Sequence, residues 1–70
     1  MTQEELHDKV YALAKAAADN GLMGEAGILY TAAATFTNDR HLKKFALMCV
    51  EFCNDAIIYD DMSQQRPENN

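Results

Sequence analysis

Arg40-His41-Leu42-Lys43-Lys44-Phe45-Ala46-Leu47-Met48-Cys49-Val50-Glu51-Phe52-Cys53-Asn54-Asp55-Ala56-Ile57-Ile58-Tyr59 is the longest periodic stretch in the chain, and its reading decides the fold class. At about 100° per residue, Leu42, Phe45, Ala46, Cys49, Val50, Phe52, Cys53, Ala56 and Ile57 fall within one arc of a helix, and Met48 and Tyr59 extend one edge of it. The arc reaches roughly 200°, against the roughly 100° that docking onto a core requires. A helix of this kind is either central to a bundle or contributes to an intermolecular surface. Leu47 and Ile58 fall apart from the arc, near Lys44, Glu51 and Asn54, where two apolar side chains on a polar side can anchor a partner.

Outward from this stretch, Thr37-Asn38-Asp39 is a short polar junction of residue types that cap helices, so the periodic segment predicts a helix over about 39–60. Before the junction, Ala26, Leu29, Ala33 and Phe36 share a face, with Leu22 and Ala32 beside it. These predict a helix over about 23–36. Gly24 and Gly27 each weaken it by roughly 1 kcal/mol relative to Ala, and either ease its start or permit a close backbone approach. No strand and no Gly-x-x-x-x-Gly-Lys-Ser/Thr run accompanies them, so a phosphate cradle is not expected.

The first segment opens with Thr2 and has Glu5 three positions on, the pattern in which side chains satisfy the free amides at a helix start reciprocally. Leu6, Val10, Leu13 and Ala17, with Ala14 beside them, form its apolar stripe, and Asn20-Gly21 supplies a stop. The helix is expected over about 3–19. Together the three segments predict an all-α chain, a three-helix bundle occupying 1–61 as a single domain. Residues 62–70, with Pro67 and little to bury, are expected to be a flexible polar tail.

With 49% hydrophobic and 24% charged residues, the 70-residue chain has the composition of a folded globular protein. A chain of this length buries only about 60% of the surface that its unfolded form exposes, so association with another copy or a partner is a natural source of further burial. The net charge of −5 disfavours general attraction to nucleic acid or anionic lipid. No apolar run approaches the 18 or so residues needed to span a bilayer, no signal-peptide pattern opens the sequence, and a cytoplasmic protein without membrane partners is expected.

Reactive residue types are few. Cys49 and Cys53 share a helical face at a spacing that a disulfide does not fit, and they read as small buried apolar residues. Neither they nor His41, eight residues before Cys49, have the spacing of a structural zinc site. A pairing of Cys49 with His7 or His41 is the best catalytic combination available, and the place of Cys49 in the apolar arc argues against it. The expectation is therefore a non-enzyme with no cofactor and no metal. The acidic pairs Glu4-Glu5 and Asp60-Asp61 read as solvated ends.

Three functional classes follow from these residues. The first is a noncatalytic regulatory or protein-interaction module, self-associating as a homodimer or binding another protein through Leu47, Met48, Phe52, Ile58 and Tyr59. The second is a helix-turn-helix-like DNA-binding regulator, in which Arg40, Lys43 and Lys44 at the start of the third helix contact nucleic acid; the same three also suit an acidic partner. The third is an acidic mimic of nucleic acid using Glu4, Glu5, Asp8, Glu51, Asp55, Asp60 and Asp61, which lacks the long continuous acidic face such mimicry needs. The wide apolar arc favours the first.

Overall fold

Met23–Phe36 carries a single charged residue, Glu25, among fourteen, and a helix that is apolar all round has to be covered on more than one side. In the computed structural model, which describes residues 1–65, this segment is the middle element of a compact three-helix bundle. The helices are α1 (Gln3–Asp19), α2 (Met23–Phe36) and α3 (Arg40–Gln65). Both α1 and α3 pack along α2, and they meet each other more sparingly. Of the two roles open to the long third helix, the central one thus belongs to α2.

Local chemistry sets each boundary. At the start of α1, the Glu5 amide donates to Thr2 Oγ1 at 3.1 Å, and the Thr2 amide donates to Glu5 Oε1 at 2.7 Å. Glu5 is held below its ordinary carboxylate pKa by the bond from the Thr2 amide and then by the Thr2 side chain. At the other end Gly21 adopts φ +81°, and its amide donates to Ala18 O while the Leu22 amide donates to Ala17 O. This paired closure satisfies the last carbonyls, and the left-handed position it requires suits glycine.

The core is made mostly of small side chains: Ala14 from α1, Ala26, Ala33 and Ala34 from α2, and Ala46 and Cys53 from α3, with the ring of Tyr30 among them. Alanine at the contacts lets helix axes approach closely, and the close approach leaves little room between the helices for large residues. The face that α1 buries is accordingly turned from the expected stripe. His7 and Ala14 are buried and Tyr11 is half-buried, whereas Leu13 is exposed. Gly27 faces α3, where a Cβ would stand 3.7 Å from the Cβ of Cys53; nothing crowds Gly24.

Helix α3 continues to Gln65, five residues beyond the expected end near 60, and takes in 62–65 of the segment expected to be a tail. Asp60-Asp61 does not stop it. Acidic side chains near a helix C-terminus lose only a fraction of a kcal/mol to the helix dipole, and after Gly27 the sequence holds no Gly or Pro, the strongest helix breakers, before Pro67. The remainder of the expected tail lies outside the described residues. None of the described helices is long and apolar enough to cross a membrane.

Candidate functional site

The buried stripe of α3 is narrow. Ala46 and Cys53 are fully covered, and Cys49, Val50 and Ala56 are partly covered. Spaced by three and four, these five line the side of α3 that packs on α2. Several large apolar residues of α3 are left facing out. Phe45, Met48, Phe52 and Tyr59 are 54%, 54%, 65% and 75% exposed, and at about 100° per residue they form one seam within about 60° of the helix circumference.

The seam borders a groove between α1 and α3. Its walls are Tyr11, Lys15, Ala18 and Asp19 on one side and Phe45, Met48, Cys49 and Phe52 on the other, with Tyr30 of α2 at the base. Tyr11 links the groove to the core. Its ring meets Tyr30 edge-on at a centroid distance of 5.3 Å and stacks with Phe45 at 6.2 Å and with His7 at 5.7 Å. Its hydroxyl lies 3.9 Å from Cys49 Sγ, and burial, followed by this contact, pushes its pKa up to about 12. Tyr30 and Cys53 are also shifted upward, in both cases chiefly by burial.

The five expected interface residues do not share one face. Met48, Phe52 and Tyr59 belong to the seam, and Phe45, which the sequence reading placed in the core arc, joins them. Leu47 and Ile58 are also exposed but lie on the opposite flank, roughly 100° or more from Phe52 and Tyr59. The signal that separates the two groups is periodic: Phe45, Met48, Phe52 and Tyr59 follow steps of three, four and seven.

The three basic residues also part company. Lys43 Nζ donates to the Ala34 carbonyl at 2.9 Å, so this ammonium closes the C-terminal turn of α2, where the helix dipole favours positive charge. Arg40 and Lys44 are exposed at the start of α3. Asp39 caps that start: its Oδ1 accepts from the His41 amide at 2.8 Å and the Leu42 amide at 3.1 Å. These bonds, the Leu42 amide first, lower its pKa.

Glu4, expected to be a solvated end, is a structural clamp. Its Oε1 accepts from the buried Thr37 hydroxyl at 2.8 Å and its Oε2 from the Asn38 amide at 3.2 Å. Sequence alone does not show this pairing, because the partners are more than thirty residues apart.

The cysteines are both free thiols. The polar neighbour of Cys49 is Tyr11, which also carries the stacked His7 ring; the buried imidazole of His7 is bonded through Nδ1 to Asp8 Oδ1 at 2.9 Å. Among the described residues no group of three or more His, Cys, Asp or Glu side chains is placed to hold a metal ion. Comparison with protein-family models, with curated proteins and with solved structures finds no match.

Proposed function

We propose that this chain is a noncatalytic regulatory or interaction module whose working surface is the α3 seam, and that the seam joins two copies of the chain. The observation that carries the reading is the exposure of Phe45, Met48, Phe52 and Tyr59 along a single line. Large side chains of this kind offer about 150–250 Å² each, so the seam leaves on the order of 500 Å² open. A patch of about 300–600 Å² is as large as the largest on a typical monomer and is often functional. With the groove wall of α1 beside it, the surface approaches the roughly 800 Å² that each partner contributes to a stable complex. Association supplies the burial that a core of alanines does not.

The competing nucleic-acid reading is weakened by the use of Lys43 on the α2 carbonyl, which leaves Arg40 and Lys44 as the outward-facing pair of the original three on a chain of charge −5. Duplex DNA binding at low salt, lost on removing Arg40 and Lys44, is the outcome that favours it.

The test of self-association is the mass in solution over a concentration series, by sedimentation or light scattering. Wild type is expected to shift from monomer toward dimer as concentration rises, and Phe52→Asp to remain monomeric with its helical circular dichroism retained. A wild-type chain that stays monomeric at several hundred micromolar overturns the proposal.

A further inference from the structure

Beside the seam, on the exposed side of α3, four charged residues stand in a sign-reversing order: Arg40 and Lys44 are positive, Glu51 and Asp55 negative, and all four are exposed. At about 100° per residue they lie within about 60° of one another, and Met48 of the seam is the next position round from Asp55. Their spacing is symmetric. Arg40 and Asp55 are equally far from the peptide joining Leu47 to Met48, and so are Lys44 and Glu51.

From this symmetry we infer that the two α3 helices pair antiparallel, about a two-fold axis near Met48. The inference rests on the seam reading and adds orientation and register to it. In this arrangement Arg40 of one copy comes beside Asp55 of the other, and Lys44 beside Glu51. The two-fold repeats both contacts, so four opposite-charge pairs form along the edge of one apolar seam. Register within the seam agrees to within two residues: Met48 falls one residue from its own counterpart, and Phe45 two residues from Phe52. In a parallel pairing the two-fold runs along the helices and carries the two charged edges to opposite sides of the seam, so none of these pairs forms. Exposed ion pairs change association by up to a few-fold each, so four such contacts, present in the antiparallel orientation and absent from the parallel one, favour the former by about tenfold. The second copy is therefore the occupant whose charge order the surface fits, because the surface is complementary to itself when reversed.

Charge reversal tests the orientation. The dimer dissociation constants of wild type, Lys44→Glu, Glu51→Lys and the double variant Lys44→Glu/Glu51→Lys are measured by sedimentation at low salt, with circular dichroism verifying that each remains helical. Each single reversal sets two like-charge contacts in the antiparallel dimer and is expected to weaken it about tenfold. The double reversal restores opposite charges across the axis and is expected to return within about threefold of wild type. A wild-type dimer that tolerates both single reversals, or a double variant no better than the singles, overturns the antiparallel register and leaves the seam in place. A monomeric wild type overturns the seam and the register together.

Discussion

The Glu4 carboxylate in the first turn of α1 accepts a hydrogen bond from the hydroxyl of Thr37, thirty-three residues later, at 2.8 Å, and so ties the start of the chain to the turn between α2 and α3. Thr37 is 1% exposed, and its oxygen also accepts from the Asp39 amide at 3.1 Å. One side chain therefore serves two partners in a dry position. Thr37→Val keeps the shape and removes both bonds, leaving an amide and a carboxylate oxygen to find other partners. The expected loss of unfolding free energy is about 1–3 kcal/mol, read from urea denaturation of the two proteins at equal concentration. A loss well below 1 kcal/mol sinks the clamp as a source of stability.

Asp39 gives the fold an acid sensitivity of predictable sign. The amides of Leu42 and His41 favour its ionised form and hold its folded pKa below the ordinary 3.8. A carboxylate lowered in this way contributes stability above its unfolded pKa, and the contribution is lost as pH falls through the folded value. Glu5 acts in the same direction at the start of α1. The Tm of wild type is expected to fall as pH drops from 5 toward 2. Asn is a good cap without a titrating group, so Asp39→Asn is expected to hold most of the Tm at pH 7 and to show a shallower acid slope. Parallel slopes for the two proteins in a thermal melt series would falsify the assignment.

At alkaline pH the sign reverses. Burial and the contact with Cys49 raise the Tyr11 pKa to about 12, so the folded state keeps a proton that the unfolded chain releases near 10. Stability present below pH 10 is therefore lost as pH rises from 10 toward 12. Absorbance titration of the phenolates is expected to show Tyr11 ionising above the ordinary range of a phenol. Tyr11→Phe, which retains the ring contacts, is expected to flatten the Tm loss between pH 10 and 11.5; an unchanged slope removes Tyr11 as its source.

Helix identity was legible in the chain because the local rules agreed. Thr2 with Glu5, Asn20 with Gly21, and the polar Thr37-Asn38-Asp39 each act within a few residues, and the structure places helix ends at all three. What the sequence could not rank was which helix is central. The wide arc of α3 counts large side chains, whereas packing on α2 selects small ones, and Ala46, Cys49, Val50, Cys53 and Ala56 fill the contact while Phe45 and Phe52 are turned out. The same preference explains Leu13 on α1. Hydrophobicity was the wrong measure for a contact limited by the approach of two backbones. Long-range polar links, Glu4 to Thr37 and Lys43 to Ala34, carry no local pattern and were not visible at all.

Gly27 tests how close that approach is. It is buried in α2 against α3, and a Cβ there would stand 3.7 Å from Cys53 Cβ and 4.0 Å from Asn54 Oδ1, both ordinary contact distances. Alanine should therefore fit without moving α3. It also reduces the freedom of the unfolded chain and favours the helix, so Gly27→Ala is expected to stabilise the fold by about 0.5–1 kcal/mol in urea denaturation. Gly27→Leu adds three further carbons to a space bounded by Cys53 and is expected to cost about 1–3 kcal/mol by pushing α3 outward. Because Cys53 lies on the side of α3 turned away from Met48 and the charged edge, Gly27→Ala should leave the dimer dissociation constant unchanged. If alanine destabilises the fold, the α2–α3 contact is tighter than these distances; if it weakens the dimer, the buried stripe and the associating seam are not separate faces of α3.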